Sequence, residues 1–378
     1  MKTAGTSCTR ATGEVAAAIS FKAPLLEQTF AAQKYQYRFV DPRIGPEWDR
    51  LVGSHPDAGI FHSSAWARVL CGTYGHTPFY FHLFDGNRTV ALLPLLEVSA
   101  SLTGRRGISL PFSDFCSPLF FDDGARSFLL TELSHLTRAK NWKFFELRGG
   151  PPPHATAIPF ATFYGHQIDL QHGAPELFGR LASSVRGAIR KATKNSVVAE
   201  ISCTPESLSM FYRLHLRTRR RHGLPPQPFK FFLNIQKELI DNDLGFIVLA
   251  RAASRTVAAA MFFRSGGTAL YKYAASDERY QQLRGSDLVL WEGIQFLINK
   301  GAENVHLGRT SLENRGLRRF KLGWAVTEQM LHYFRFDVGR NSWLSSTSLP
   351  GTWHKRVFGR LPLKINQLAG AMIYPQLD

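Results

Sequence analysis

Two stretches of this chain align on one another without a gap. FYFHLFDGNRTVALLPLLEV at 79–98 matches FIVLARAASRTVAAAMFFRS at 246–265, and both contain RTVA, at 88–91 and 255–258. Each reads as an apolar strand, a short polar turn and a second apolar strand, which is an antiparallel hairpin. In the first, DGN supplies turn residues that tolerate positive φ. The likeness extends downstream. RSFLLTELSHLTRAKNWKFFELRG at 126–149 and SDLVLWEGIQFLINKGAENVHLGR at 286–309 each give a helical stretch, a few polar residues and a short apolar strand. Upstream, SAWARVLCGTYG at 64–75 and FKFFLNIQKELIDN at 229–242 are helical leads into the hairpins. With GISLPFSDF and TALYKYAAS as further strands, each half reads helix, hairpin, strand, helix, strand. The pattern predicts a duplicated α/β domain.

A chain of 378 residues has the length of two domains. With 44% apolar residues and 29 Phe, each half can bury a core. ELRGGPPPHATAIPF at 146–160, with four prolines and two glycines, marks a linker or long loop. The expected organisation is a weakly ordered extension over 1–34, a first domain over 35–170, a second over 171–340 and a basic tail over 341–378. APELFGRLASSVRGAIRKATKN at 174–195 is expected to open the second half as a basic helix.

Formal net charge is +17. Charge of that size points to polyanions, anionic lipid surfaces or phosphorylated substrates. The four cysteines show no CxxC or Cys/His ligand spacing, so neither a structural zinc nor a disulfide framework is expected. Buried free thiols in a reducing compartment are the simpler reading. No run approaches the length of a spanning helix, and the N-terminus is a poor signal peptide. These points predict a cytoplasmic protein, with peripheral contact at the inner membrane face through a basic surface as a further option.

The charge concentrates in RTRRRHGLPPQP at 217–228. SMFYRLHLRTRRRHG reads as a helix ending at Gly223, with Pro225 and Pro226 forbidding continuation. Cations are favourable at a helix C-terminus. Four arginines exceed what a cap needs, and their spread around the turn is expected to send at least one or two inward. Guanidinium forks suit phosphates and carboxylates. Arg217, Arg219, Arg220 and His222 are therefore candidate substrate-binding residues, with Arg221 in the same run. Arg186, Arg190, Lys191 and Lys194 add to the charge of this half. A nucleotide-linked sugar, a lipid-linked glycan precursor or the acceptor end of a tRNA fits such a surface.

Two further groups have alternative readings. In LRGSDLVLWEGI, Gly285 permits close backbone approach and Ser286 is a good N-cap, so the helix start suits a phosphate-bearing cofactor or is a plain capped helix. On the preceding strand, alternation puts Tyr271 and Tyr273 on one face. That face lines the cleft, where Tyr273 would donate a hydrogen bond in catalysis, or it packs in the core. His215 and His306 read as core residues, and Glu292 as a base or a solvent-facing carboxylate. No Ser-His-Asp set and no metal constellation is present.

SSVRGAIRKATKN, TRRRHGLPPQP, YKYAASDERYQQLRGSDLVLWEGI and HLGRTSLENRGLRRFKLGW, with GIFHSSAWARVL and LPFSDFCSPL in the first half, resemble the motifs of FemAB-like acyltransferases of the GNAT superfamily. That group comprises tandem-GNAT proteins related to peptidoglycan bridge-forming aminoacyl ligases, with members found beside exopolysaccharide systems. The resemblance covers residues 36–340. It implies an α/β (α+β) fold of two tandem GNAT-like domains, each a mixed, mostly antiparallel sheet flanked by helices, with the donor and acceptor channels mainly on the second. It implies acyl-CoA or aminoacyl-tRNA as donor and no metal. Phe320 and Lys321 fall on the family's Phe-Lys pair, so Phe320 is expected to bind the donor and Lys321 to hold the developing oxyanion. Arg309 joins the substrate-binding set. The expected function is acyl or aminoacyl transfer to a peptidoglycan or exopolysaccharide precursor. The competing class is a non-catalytic polyanion binder, which the charge supports but no RRM, OB-type or helix-turn-helix signature does.

Overall fold

The structure is a computed structural model that describes residues 34–101, 104–345, 358–359 and 361–377. The expected N-terminal extension lies outside the described residues, apart from Lys34. The first half runs β1 (Gln36–Val40), α1 (Glu47–Gly53), α2 (Ser64–Tyr74), β2 (Thr77–Pro78), β3 (Tyr80–Asp85), β4 (Arg88–Leu93), β5 (Leu96–Ala100), β6 (Gly104–Ile108), β7 (Leu119–Phe120), α3 (Arg126–Ala139), β8 (Phe144–Arg148) and β9 (Ala161–Asp169). The second runs α4 (Gly173–Arg180), α5 (Ser183–Lys194), β10 (Val197–Ser202), α6 (Pro205–Arg221), α7 (Phe229–Ile235), β11 (Gly245–Ala252), β12 (Arg255–Ser265), β13 (Thr268–Ser276), α8 (Gly285–Asn299), β14 (Asn304–His306), β15 (Thr310–Ser311), α9 (Arg315–Leu322), β16 (Thr327–Asp337) and β17 (Ser342–Leu344). The tail contributes α10 (Leu363–Ile373).

The repeated hairpins match down to an irregularity in their ladders. RTVA opens β4 and β12 alike. In the first hairpin Asp85 pairs with Arg88 and Phe84 with Thr89, then Leu83 pairs with Ala91, skipping Val90. In the second Ala252 pairs with Arg255 and Arg251 with Thr256, then Ala250 pairs with Ala258, skipping Val257. The same bulge at the Val of the tetrapeptide is a conformational feature of the repeat, since a bulge re-aims every later side chain.

The halves then diverge at Pro94. Proline has no N–H for the ladder, and the strand breaks there into β4, which pairs with β3 and β7, and β5, which pairs with β2 and β6. Its counterpart β12 runs unbroken between β11 and β13. The first half thus divides its strands between a four-stranded sheet and a larger one.

In that larger sheet the halves exchange strands. The pairs β6–β8 and β13–β14 are each parallel. Beside β14 lies β9 from the first half, and beside β8 lies β16 from the second. The two exchanged strands pair antiparallel with each other. Each half's sheet is completed by the other's last long strand, so Tyr35–Asp378 form one compact unit.

The expected basic helix over 174–195 is two helices. Leu181 is extended between α4 and α5, and Arg186 donates to the carbonyls of Gly179 and Leu181 at 2.8 and 2.5 Å. Arg186 thereby caps a helix end. Cys71 and Cys116 are buried free thiols as expected, whereas Cys203 is exposed, and Cys8 lies outside the described residues. Alternate residues of β12 face opposite cores: Ala259, Met261 and Phe263 meet α2, α6 and α7, while Ala258, Ala260 and Phe262 meet α5 and α8.

One contact in the second core is testable. A Cβ on Gly293 of α8 would stand 2.2 Å from the Phe262 ring. Gly293→Ala is expected to destabilise the fold by about 1–3 kcal/mol through overpacking, despite alanine's better helix propensity. A urea midpoint equal to the wild type would refute that close approach.

Candidate active site

The site forms where β13 and β14 part. Their parallel pairing ends at Leu270 and His306, and polar side chains from both halves occupy the gap. The register between β12 and β13 shifts so that Met261 pairs with Tyr273 but Phe262 with Tyr271, leaving Lys272 as the bulged residue. This corrects the expectation that the two tyrosines share a face. Tyr271 packs on Phe262 in the second core, and Tyr273 packs on Phe231 and Phe232 in the first. The Tyr273 hydroxyl is buried without a partner among the described residues. Burial holds it well above the usual tyrosine range, so the phenol keeps its proton.

Lys272 reaches across to the first half. Its ammonium donates to Asp114 Oδ2 at 2.8 Å and to the Phe112 carbonyl at 2.9 Å. Asp114 sits in the loop SLPFSDF, in which Leu110 and Phe112 hold φ of 64° and 60°. Left-handed backbone at bulky residues is strained. The loop is fixed by Lys272 and by Ser113 Oγ donating to Leu110 O at 2.6 Å. Burial alone would raise the Asp114 carboxyl, yet Lys272 and Arg309 hold it below the usual range.

Lys321 lies on the far side of the same gap. Helix α9 is capped by Asn314 Oδ1, which accepts from Leu317 N at 3.1 Å. Near the helix end Lys321 is buried, 3% exposed. Its Nζ donates to Gly308 O at 2.7 Å and Arg309 O at 3.3 Å. The third ammonium proton has no acceptor among the described residues, and no carboxylate forms an ion pair with it. Burial lowers its pKa to about 8. Gly308, at φ 72°, lets the chain turn where its N–H donates to His306 Nδ1 at 2.9 Å. His306 Nε2 is buried and without a partner among the described residues, and burial lowers that imidazole's pKa to about 3. Arg309 lies over the Phe163 ring at 4.5 Å and donates to the Tyr333 hydroxyl at 2.6 Å, which donates to Asp114 O at 2.7 Å. Beyond them His166 meets Glu328 at 3.0 Å, and Arg318 grips the same carboxylate with two N–H groups. A cleft of about 790 Å³ between the halves reaches this cluster at His306 and Phe115, although Lys321 does not line it.

Part of the arginine run lines a second, separate cavity. Helix α6 ends at Arg221, and Gly223 turns with φ 65°. Arg217, Arg220, Arg221 and His222 line a cavity of about 730 Å³ with Asp277, Glu278, Arg279 and the tail residues Gly359 and Leu363. Asp277 binds Arg217 at 2.5 Å and Arg279 at 2.6 Å. Hydrogen bonding from Arg279 lowers its carboxyl to about 2. Arg221 is 3.7 Å from Glu278. Arg220 is exposed and has no charged or hydrogen-bonding partner among the described residues. Arg219 does not join them: it donates to Pro225 O at 3.1 Å and the Tyr374 hydroxyl at 2.8 Å, tying α6 to the tail. Arg309 likewise stands with Lys321 and away from this cavity.

The helix start at α8 differs from expectation. The N-cap is Arg284 at φ 60°, with no side-chain cap bond, and Ser286 is already inside the helix. A Cβ on Gly285 would meet Val257, Ala258 and Ala250 at 3.1–3.4 Å, so this glycine lets the helix pack on the hairpin. Asp287 occupies the first turn. Phe320 is partly buried against Trp324 in the second core. Asp114, Lys272 and Tyr333 escaped sequence reasoning. Asp114 and Lys272 carried a signal, within the LPFSDF and YKYAAS motifs, and Tyr333 carried none. Among the described residues no group of three or more His, Cys, Asp or Glu side chains is placed to hold a metal ion.

Residues 179–323 match the acetyltransferase (GNAT) domain family. No curated protein matches the sequence. Solved structures share the fold. FemX is 13% identical over 78% of this chain and 96% of its own, with a TM-score of 0.61. A tandem GNAT protein from the clavulanic acid biosynthesis pathway is 10% identical over 81% and 99%, at 0.51. The C-terminal domain of a putative lysylphosphatidylglycerol synthetase from Agrobacterium fabrum is 14% identical over 82% and 91%, at 0.51. The second half thus carries a match to the acetyltransferase (GNAT) domain family, and the chain as a whole has the fold of FemX and of a tandem GNAT protein.

Proposed function

We propose that the chain transfers an aminoacyl group from a charged tRNA to an amine or hydroxyl of an anionic cell-envelope precursor, a nucleotide- or lipid-linked glycan. The observation that carries the acyl-transfer site is Lys321, a buried ammonium that faces only backbone carbonyls. As the acceptor attacks the ester carbonyl, a C–N or C–O bond forms and the carbonyl oxygen takes up negative charge. The ammonium supplies the missing counter-charge there, where low polarity makes it most effective. The tetrahedral species collapses by breaking the bond to the ribose oxygen, which leaves with the proton lost by the acceptor. Phe320, beside Lys321, and Tyr273, as a hydrogen-bond donor, are the further residues of the donor and acceptor channels in this reading.

The choice of donor rests on α8. A pyrophosphate held at that helix start would need open backbone N–H groups and no competing anion. Gly285 is packed against the hairpin and Asp287 stands in the first turn. Both favour an aminoacyl-tRNA, as does the net charge of +17. Acyl-CoA is the second reading, favoured by the acetyltransferase family matched over 179–323. The arginine cavity suits the anionic part of the acceptor, with Arg217 and Arg279 anchored on Asp277 and Arg220 free to form a fork. Incubation with radiolabelled aminoacyl-tRNA or acetyl-CoA, each with UDP-linked and lipid-linked muropeptide acceptors, tests the proposal. Label in the acceptor from the tRNA alone supports it, label from acetyl-CoA alone selects the second reading, and label from neither removes both.

Lys321→Met is expected to keep the fold and to lower kcat by about tenfold or more, the loss of one oxyanion contact. The ammonium form exists below a pKa of about 8, so the wild-type rate should fall as pH rises through that value, and the variant should lack this limb. A folded variant that turns over at the wild-type rate ends the assignment.

At the second site, Arg220→Lys keeps the charge and loses the fork. It should raise the acceptor KM by about tenfold. Arg219→Lys should leave KM unchanged and lower Tm, because its bonds tie α6 to the tail. Equal responses at both positions that vanish in high salt would reduce the run to a solvated helix end.

A further inference from the structure

We infer that α10 is an interfacial helix that docks this protein on an anionic lipid bilayer. The helix is built inside out. Its two amide side chains turn toward the protein: Asn366 Nδ2 donates to Leu224 O at 3.4 Å and Gln367 Nε2 to the Tyr212 hydroxyl at 3.3 Å. Its large apolar residues turn away: Ile365, Leu368 and Met372 are 51%, 66% and 72% exposed. They recur three and four residues apart, so they form one stripe along the helix. A helix that merely covered a core would carry the opposite arrangement.

The helix is held firmly in that orientation. A Cβ on Gly370 would stand 2.0 Å from Pro226 O, so α10 lies directly against the Pro-rich turn after α6. At its end the Tyr374 hydroxyl receives Arg219 Nη2 at 2.8 Å, and Arg106 Nη2 donates to Gln376 O at 2.6 Å. Polar anchors on one face and apolar side chains on the other make a mounted surface.

Charge selects the occupant. Lys364 is exposed beside Ile365. Lys355, Arg356 and Arg360 precede the helix in sequence, and Leu363 lines the same cavity as Arg220 and Arg221. An apolar stripe with Lys364 beside it and the Arg220–Arg221 cavity at its start complements the boundary between acyl chains and anionic headgroups: the stripe enters, and the cations meet phosphate. No described helix is long and apolar enough to cross a membrane, and the contact proposed is one of lying on the surface. It would bring the arginine cavity to headgroup level, which suits the lipid-linked form of the acceptor proposed above. The docking itself does not depend on the acyl-transfer reading.

The test is sedimentation of the full chain with vesicles of phosphatidylcholine plus phosphatidylglycerol, and of phosphatidylcholine alone. The comparison variant combines Ile365→Gln, Leu368→Gln and Met372→Gln, all on exposed positions. The wild type should sediment with the anionic vesicles and much less with the neutral ones, and the variant should bind about tenfold more weakly. Both should be monomers by light scattering and share one Tm. A wild type that stays in solution overturns the inference, as does a variant that binds equally well, which would mean charge alone holds the surface. A wild-type dimer that the variant dissolves would assign the stripe to a second copy. Vesicle binding that follows the expectation while no acceptor is labelled would strike only the proposed function.

Discussion

The joint of this protein is the buried pair between Lys272 and Asp114. It ties the second half's bulged strand to the first half's strained loop. Burying two charges is unfavourable unless each finds further partners, and here Lys272 also holds the Phe112 carbonyl. Removing one partner of such a pair typically costs about 3–5 kcal/mol, because the other is left uncompensated. Two left-handed residues in the loop add strain of about 1–3 kcal/mol each, which persists only where surroundings over-determine it. What the loop positions explains why it is held so tightly. The Asp114 carbonyl orients Tyr333, Tyr333 orients Arg309, and Gly308 passes close to the Asp114 carboxylate. Lys321 then rests on the carbonyls of Gly308 and Arg309. The candidate site is therefore a product of both halves, although most of its residues belong to the second.

Much of the fold was legible because it is local. Hairpins, the helix end at Gly223, and the element order all follow from periodicity and turn chemistry over short windows. The tetrapeptide RTVA carried more than a likeness of composition, since both copies bulge at the same valine. What the sequence hid is non-local or hangs on one residue. The exchange of β9 and β16 joins strands far apart in the chain, and no short window encodes it. Pro94 divides a strand whose counterpart stays whole. A single bulge at Lys272 sent Tyr271 and Tyr273 to opposite cores, because one extra residue inverts the alternation on which the expectation rested.

The arginine run shows how far residue type alone can be read. Successive side chains on a helix point in directions about 100° apart. Four arginines at a helix end must therefore meet different surroundings, and composition cannot assign which meets what. Arg217 found a buried carboxylate, Arg221 a looser one, Arg219 the tail, and Arg220 none among the described residues. Arg217, Arg220 and Arg221 line one cavity at the surface, rather than turning inward. Arg219, counted among the substrate ligands, is instead a strut that fixes α10 in place.

Lys321 gives the clearest link between energetics and chemistry. Its pKa is lowered from 10.5 to about 8, chiefly by burial. Between those two values the native state binds fewer protons than the unfolded chain, so this residue's contribution to stability improves as pH rises through that window. At neutral pH the protein instead carries the full penalty of a charged ammonium in a poorly hydrated place. Asp114, the carboxylate closest in charge terms, is already committed to Lys272. The carbonyls of Gly308 and Arg309 and the more distant Asp114 relieve Lys321 only in part, since burial still lowers its pKa, whereas an anion arriving beside it would relieve it further. A neutral ester carbonyl offers little relief and the oxyanion formed from it offers much, so the group is stabilised more in the transition state than in the ground state. That difference is the part of binding that raises a rate, and it arises from leaving a buried cation without a carboxylate of its own.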